Sequence, residues 1–98
     1  MNDAIQNEKN WKNGNTEVVN IVNESFVYLY SNLIAIVGDT FIELFDGGHQ
    51  TATTKSRLNA ILAVHGVPGA YIFQKNFKWF VNYDKQGAIP FLSGMRLA

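Results

Sequence analysis

The chain has 98 residues, of which 47% are hydrophobic, 13% aromatic and 16% charged, which is the size of one domain with one modest core and excludes a multidomain enzyme. Eight cations balance eight anions, so no overall field draws the chain to nucleic acid or anionic lipid, and the aromatic content excludes a disordered chain. There is no cysteine, which removes disulfides, thiolate zinc sites and a cysteine nucleophile and fits a reducing cytoplasm.

The first residues, Met1-Asn2-Asp3-Ala4-Ile5, have neither the basic start nor the apolar stretch of a secretory signal. The longest aliphatic run, residues 33–37, is too short to cross a bilayer. Charge is unevenly spread along the chain. Residues 1–46 carry two cations and seven anions, and residues 47–98 carry six cations and one anion. This asymmetry fits either a basic face, two complementary faces, or strands from the two halves whose charges intermix on one surface.

Seven of the eleven asparagines precede residue 24, so residues 1–15 read as a polar arm. Asp3 is a candidate cap for a short helix ending near Asn13-Gly14, with Trp11 as its apolar anchor. Residues 16–98 read as one α+β domain. From Thr16 the pattern has period two: residues 17–22 alternate, Asn23-Glu24-Ser25 reads as a turn, and residues 26–37 form a long strand interrupted at Ser31-Asn32. Both faces of that strand are apolar, which predicts a central strand covered on each side. Gly38-Asp39 turns the chain into a strand over residues 40–45, closed by Asp46-Gly47-Gly48.

The spacing of Leu58, Ile61, Leu62 and His65 predicts a helix over residues 54–65, capped by Thr51 or Thr53 and stopped by Gly66 and Pro68. Residues 70–74 and 77–83 predict a hairpin about Lys75-Asn76, and Pro90 places a last strand, residues 88–92, at an edge. The expected architecture is α+β: an antiparallel sheet of about five strands with one helix on one face, in the order β-β-β-α-β-β. A helix of this length is about 18 Å long and 10 Å wide, whereas five paired strands span about 24 Å. One helix is therefore too narrow to cover the sheet, and the remainder is left for the arm, a second copy of the chain or another partner.

Tyr30-Ser31-Asn32-Leu33-Ile34-Ala35, Thr40-Phe41-Ile42-Glu43-Leu44 and Thr53-Thr54-Lys55-Ser56-Arg57-Leu58-Asn59 resemble a family of small proteins encoded by phages and prophages, a domain of unknown function. Lys78-Trp79-Phe80-Val81 and Phe91-Leu92-Ser93-Gly94-Met95 are similar to its later segments. The resemblance implies a viral origin and action in the host-cell cytoplasm, and it implies no catalytic residue. Many members have a His where this chain has Arg57.

Two sets of residues stand out as candidate contacts. Thr53, Thr54, Lys55 and Arg57 gather at the predicted helix start, where free N–H groups and the dipole suit an anion; threonines that cap the helix and cations that point to water are the plainer account. Tyr71, Phe73, Phe77, Trp79 and Tyr83 with Lys75 and Lys78 have the composition of a base-stacking platform. Alternation places Phe77, Trp79, Val81 and Tyr83 on one face, which is also how a core looks. Tyr28, Tyr30 and Trp79 are candidates for a protein-interaction surface. His49 and His65, the only histidines, have no patterned carboxylates beside them, so neither a metal site nor a base is expected; His65 falls at the helix end, where the dipole favours its charge. No cofactor is expected. The leading expectation is a non-enzymatic module that meets a second copy of itself or a host protein, and the alternative is an accessory nucleic-acid binder using Lys55, Arg57, Lys75 and Lys78.

Overall fold

In a computed structural model, residues 1–83 and 87–97 are described; Asp84 and Lys85, counted in the charge balance, lie outside them. The fold is mainly β with one long helix. The elements are α1 (Asn2–Gln6), β1 (Trp11–Asn13), β2 (Thr16–Ile21), β3 (Glu24–Leu29), β4 (Asn32–Val37), β5 (Ile42–Leu44), α2 (Ala52–His65), β6 (Tyr71–Lys75), β7 (Lys78–Asn82), β8 (Ala88–Pro90) and β9 (Met95–Leu97). They build a six-stranded sheet in the order β1-β2-β3-β4-β5-β9 and a three-stranded sheet β6-β7-β8. Every pairing is antiparallel.

Period-two alternation sorts the large sheet into two faces. Val18↔Val27↔Ala35↔Leu44 runs across the inner face, and all four are fully buried. Between Val27 and Tyr28 the register with β4 shifts, leaving Ile34 as an extra residue. The bulge lets Ile34 and Ala35 both bury. α2 contributes Leu58, Ile61 and Leu62 to the same core, and the small sheet contributes Ile72, Trp79 and Val81. The shortest dimension of the molecule, 18 Å, fits two layers about 10 Å apart: the large sheet, and above it α1, α2 and the small sheet.

Asn59 joins the helix to the small sheet. Its Nδ2 donates to the Ile72 carbonyl at 2.9 Å, and its Oδ1 accepts from the Ile72 N–H at 2.6 Å. The side-chain amide thus takes the place of a neighbouring strand along β6, which would otherwise be an open edge.

The structure revises the expected layout in several places. The single five-stranded sheet becomes six strands plus three: the expected strand over residues 26–37 breaks into β3 and β4 at Tyr30-Ser31, β1 and β9 add strands beyond the expected ones, and β6, β7 and β8 pair as a sheet of their own. Both residues have left-handed φ, 51° and 65°, which is the geometry of a two-residue hairpin turn of type I′. Val22-Asn23, at 41° and 65°, makes the preceding turn instead of Asn23-Glu24-Ser25. The small-sheet hairpin turns at Asn76-Phe77, at 53° and 63°, one residue later than expected.

The opening segment is built into the domain. α1 stops at Gln6, and Ala4 and Ile5 are buried. Asn20 then anchors the following link: its N–H donates to Asn10 Oδ1 at 2.8 Å and its Nδ2 to the Lys9 carbonyl, which holds β1 against β2. α2 begins at Ala52, with Thr51 rather than Thr53 as its cap; Thr51 Oγ1 accepts from the Thr54 N–H at 3.1 Å. At the other end Gly66 is required for space, since a Cβ there would lie 2.7 Å from the Leu62 carbonyl.

Candidate functional site

The outward face of the six-stranded sheet carries Val19↔Phe26↔Ile36↔Glu43↔Arg96 and Glu17↔Tyr28↔Leu33 in register. Phe41 and Phe45 share its parity with Glu43 on either side of it. None of these apolar side chains reaches full burial. The second layer lies on the opposite face, so the expectation that β3 and β4 are covered on both sides is corrected: only the face of Val27 and Ala35 is roofed. Tyr28 stands on the open face, and Tyr30, 68% exposed, stands at its rim in the β3–β4 turn.

Charge borders this apolar centre at both ends. Lys12 sits opposite Glu17 on β1 and β2. Arg96 Nη2 donates to Glu43 Oε1 on β9 and β5, and its guanidinium stacks over the Phe41 ring at 4.2 Å. Gly38 leaves room for that ring, because a Cβ there would overlap it at 2.3 Å. The Glu43–Arg96 pair joins the acidic and basic halves of the chain, so part of their asymmetry is neutralised within the fold.

The predicted helix-start cluster does not converge. Thr53 is exposed, while Thr54 is buried with its hydroxyl 2.9 Å from Thr51 Oγ1. Lys55 is half-buried, and its N–H donates to the Thr51 carbonyl at 3.0 Å. Arg57 reaches back to β2, donating from Nε to Thr16 Oγ1 at 3.2 Å. Capping and interlayer packing account for these residues.

The aromatic set divides by strand parity. Trp79 is buried edge-on against Phe91, with ring centroids 5.3 Å apart, so its expected place on an interaction surface is corrected: its face of β7 also carries Val81 and points inward. Phe77 is not on that face either; it sits in the turn and is 92% exposed. Phe73, one of the expected aromatic set, lies directly opposite Phe80 on the other side of the small sheet; Phe80 is an addition to that set, and its one-residue offset from Val81 is the sequence signal for its outward place. Lys75 and Lys78 do come together, opposite each other at the end of the hairpin.

His65 is half-buried, with its Nε2 out of water and unpartnered. Burial pushes its pKa below the usual 6.5, and a hydrogen bond to the Asn2 backbone offsets part of that shift. The expected stabilisation of a charged imidazole by the helix end is therefore outweighed by desolvation. Among the described residues no three His, Asp or Glu side chains gather as metal ligands, and no helix is long and apolar enough to cross a membrane.

No curated protein and no solved structure matches the chain. The family comparison matches from end to end, in keeping with the expectation of a small phage-encoded protein family. The chain belongs to the family of the Kyanoviridae Gp96 protein, a phage protein, whose family model matches residues 1–98.

Proposed function

We propose that this phage protein is a non-enzymatic self-association module, in which two copies meet through the outward faces of their six-stranded sheets. The observation that carries the reading is the contrast between the two faces: Val18, Val27, Ala35 and Leu44 are sealed from water, while Val19, Phe26, Tyr28, Leu33 and Ile36 on the reverse are not. Three strands of six residues and three of three, at about 3.3 Å per residue and about 4.8 Å between strands, make a plan area of about 430 Å². Two such faces cover about 860 Å², in the range of weak, transient associations, for which a dissociation constant on the order of micromolar is expected.

The face carries two cations and two anions, so a second copy meets it without net repulsion. Each end of the face carries one cation and one anion, Lys12 with Glu17 and Glu43 with Arg96. A two-fold axis along the strands sets the first pair of one copy over the second pair of the other, and because the cation is the outer member of each pair, the two sheets must be offset by about one strand spacing, about 5 Å, for Glu17 of each copy to meet Arg96 of the other. Phe26→Asp places a carboxylate at the centre of the face. Size-exclusion chromatography with light scattering is expected to show the native chain shifting toward twice its monomer mass at high concentration while a folded Phe26→Asp variant stays monomeric. Equal behaviour of the two chains contradicts the reading.

A further inference from the structure

The three-stranded sheet has its own solvent-facing side, separate from the proposed dimer face. Tyr71, Phe73 and Lys75 of β6 point there, together with Lys78 and Phe80 of β7. The Tyr71 and Phe73 rings lie 5.7 Å apart and tilted, and the Phe73 and Phe80 rings lie 5.7 Å apart and nearly parallel, at 22°. This is a continuous aromatic strip on an exposed sheet. None of the described residues of β6, β7 and β8 is acidic.

Two features at the end of the strip are unfavourable unless something binds there. Lys75 and Lys78 are exposed and directly opposite each other, a like-charge placement that destabilises a strand pair, and neither has an ion-pair partner among the described residues. Phe77 then occupies the second central position of a type I′ turn at φ 63°, where glycine is preferred and a bulky residue is strained. It is nonetheless almost wholly in water, at 92%. Val22 and Tyr30 are strained and exposed in the same way in the other hairpin turns; what sets Phe77 apart is its place beside two opposed lysines at the end of an aromatic strip.

A cleft of about 300 Å³ adjoins the strip, lined by Gln50, Lys78, Phe80, Pro90 and the buried Trp79–Phe91 pair. It offers apolar walls and one side-chain amide, which suits a flat heterocycle with a hydrogen-bonding edge.

We infer that this face binds single-stranded nucleic acid, with bases stacking on Phe73, Phe80 and Phe77 and phosphates held by Lys75 and Lys78. A lysine two residues along the strand from a ring is about 7 Å away, within reach of the phosphate of a nucleotide stacked on that ring. The requirement is sequence-tolerant, since rings and cations read π-faces and charge rather than base identity. An anionic membrane is the less favoured ligand because Phe77 alone of these aromatics is almost wholly in water, whereas Phe73 and Phe80 are half-buried. The inference stands apart from self-association, which uses the other sheet.

The test is fluorescence anisotropy with labelled oligothymidylate and oligouridylate of about 12 nucleotides, matched to the site sizes of small stacking surfaces, at low and at moderate salt. A labelled duplex and phosphatidylserine vesicles run in parallel. Binding of the single strands that falls with salt, and weaker duplex binding, are expected. The exposed double variant Lys75→Ala/Lys78→Ala is expected to flatten the slope of log affinity against log salt by about 1.4, two phosphate contacts at about 0.7 each. Phe77→Gly suits the turn, so it should fold at least as well as the native chain while losing about fivefold to a hundredfold in affinity, the range for one stacked base. No binding of either single strand at low salt, affinity unchanged in both variants, or binding to the vesicles alone would overturn the inference.

Discussion

Val19 lies directly opposite Phe26 on the outward side of β2 and β3, one position along from the Val18–Val27 pair that faces the core. Adjacent residues on the same two strands therefore meet opposite fates: Val18 and Val27 are fully buried, and Val19 and Phe26 remain partly in water. This predicts a graded response to truncation. Leu44→Ala, on the sealed side, is expected to cost about 2–5 kcal/mol through lost transfer energy and a cavity. Ile36→Thr, on the open side, is expected to cost under about 1.5 kcal/mol in a dilute monomer. Urea denaturation of both variants at low protein concentration measures the difference; equal losses would mean that the outward face is packed as tightly as the core.

The turn residues make a second prediction. Tyr30 and Ser31 both adopt left-handed φ, at positions where Asn-Gly is favoured. The left-handed conformation costs a non-glycine residue about 1–2 kcal/mol, so Tyr30→Asn/Ser31→Gly is expected to stabilise the fold by about 1 kcal/mol, or about 4–8 °C in Tm. Calorimetry reads this directly. A lower Tm would show that Tyr30 makes packing contacts that outweigh its strain.

Asn59 carries the join between α2 and β6. Asn59→Ala leaves the Ile72 N–H and carbonyl without their partner, at an expected cost of about 1–3 kcal/mol, and it reopens a strand edge. Amide exchange at Ile72 should accelerate in the variant more than exchange at Val27, which sits in the middle of the other sheet. Uniform acceleration would indicate general destabilisation and argue against a local joint.

His65 supplies the pH dependence. Its folded pKa lies below its ordinary value near 6.5 because burial disfavours the imidazolium, so between those two values the unfolded chain binds more protons than the folded one. Stability from this residue is complete above about pH 7 and declines as the pH falls below about 6.5. Denaturation midpoints measured from about pH 7.5 down to about pH 5 are expected to drop for the native chain and to drop less for His65→Gln. Parallel profiles would place the acid sensitivity elsewhere.

Much of the architecture was legible because period-two runs and the i, i+3, i+4 pattern of Leu58, Ile61 and Leu62 report on burial directly. α2, its Gly66 stop and the strand character of residues 16–45 follow from those patterns. The hairpin turns were each placed one residue off, because Val22, Tyr30 and Phe77 are bulky residues in turn positions that favour Asn and Gly, and local propensity alone reads them as strand. The role of the asparagines was also hidden: Asn20 and Asn59 replace missing backbone partners through contacts 10 to 13 residues away, which no local spacing reveals. For the candidate surfaces, alternation set Trp79 beside Val81 on what is the core face, whereas naming Trp79 with Tyr28 and Tyr30 as an interaction residue was mistaken, since parity says which residues share a face and not which face is roofed. The helix-start cations were legible as neighbours in sequence, yet Arg57 is drawn to Thr16 on a strand 41 residues earlier.

Sedimentation equilibrium over a wide concentration range addresses self-association most directly. The outward sheet face predicts a reversible monomer–dimer equilibrium with a dissociation constant on the order of micromolar, abolished in a folded Phe26→Asp variant. A native chain that remains monomeric at several hundred micromolar, roughly two orders of magnitude above that constant, would contradict it.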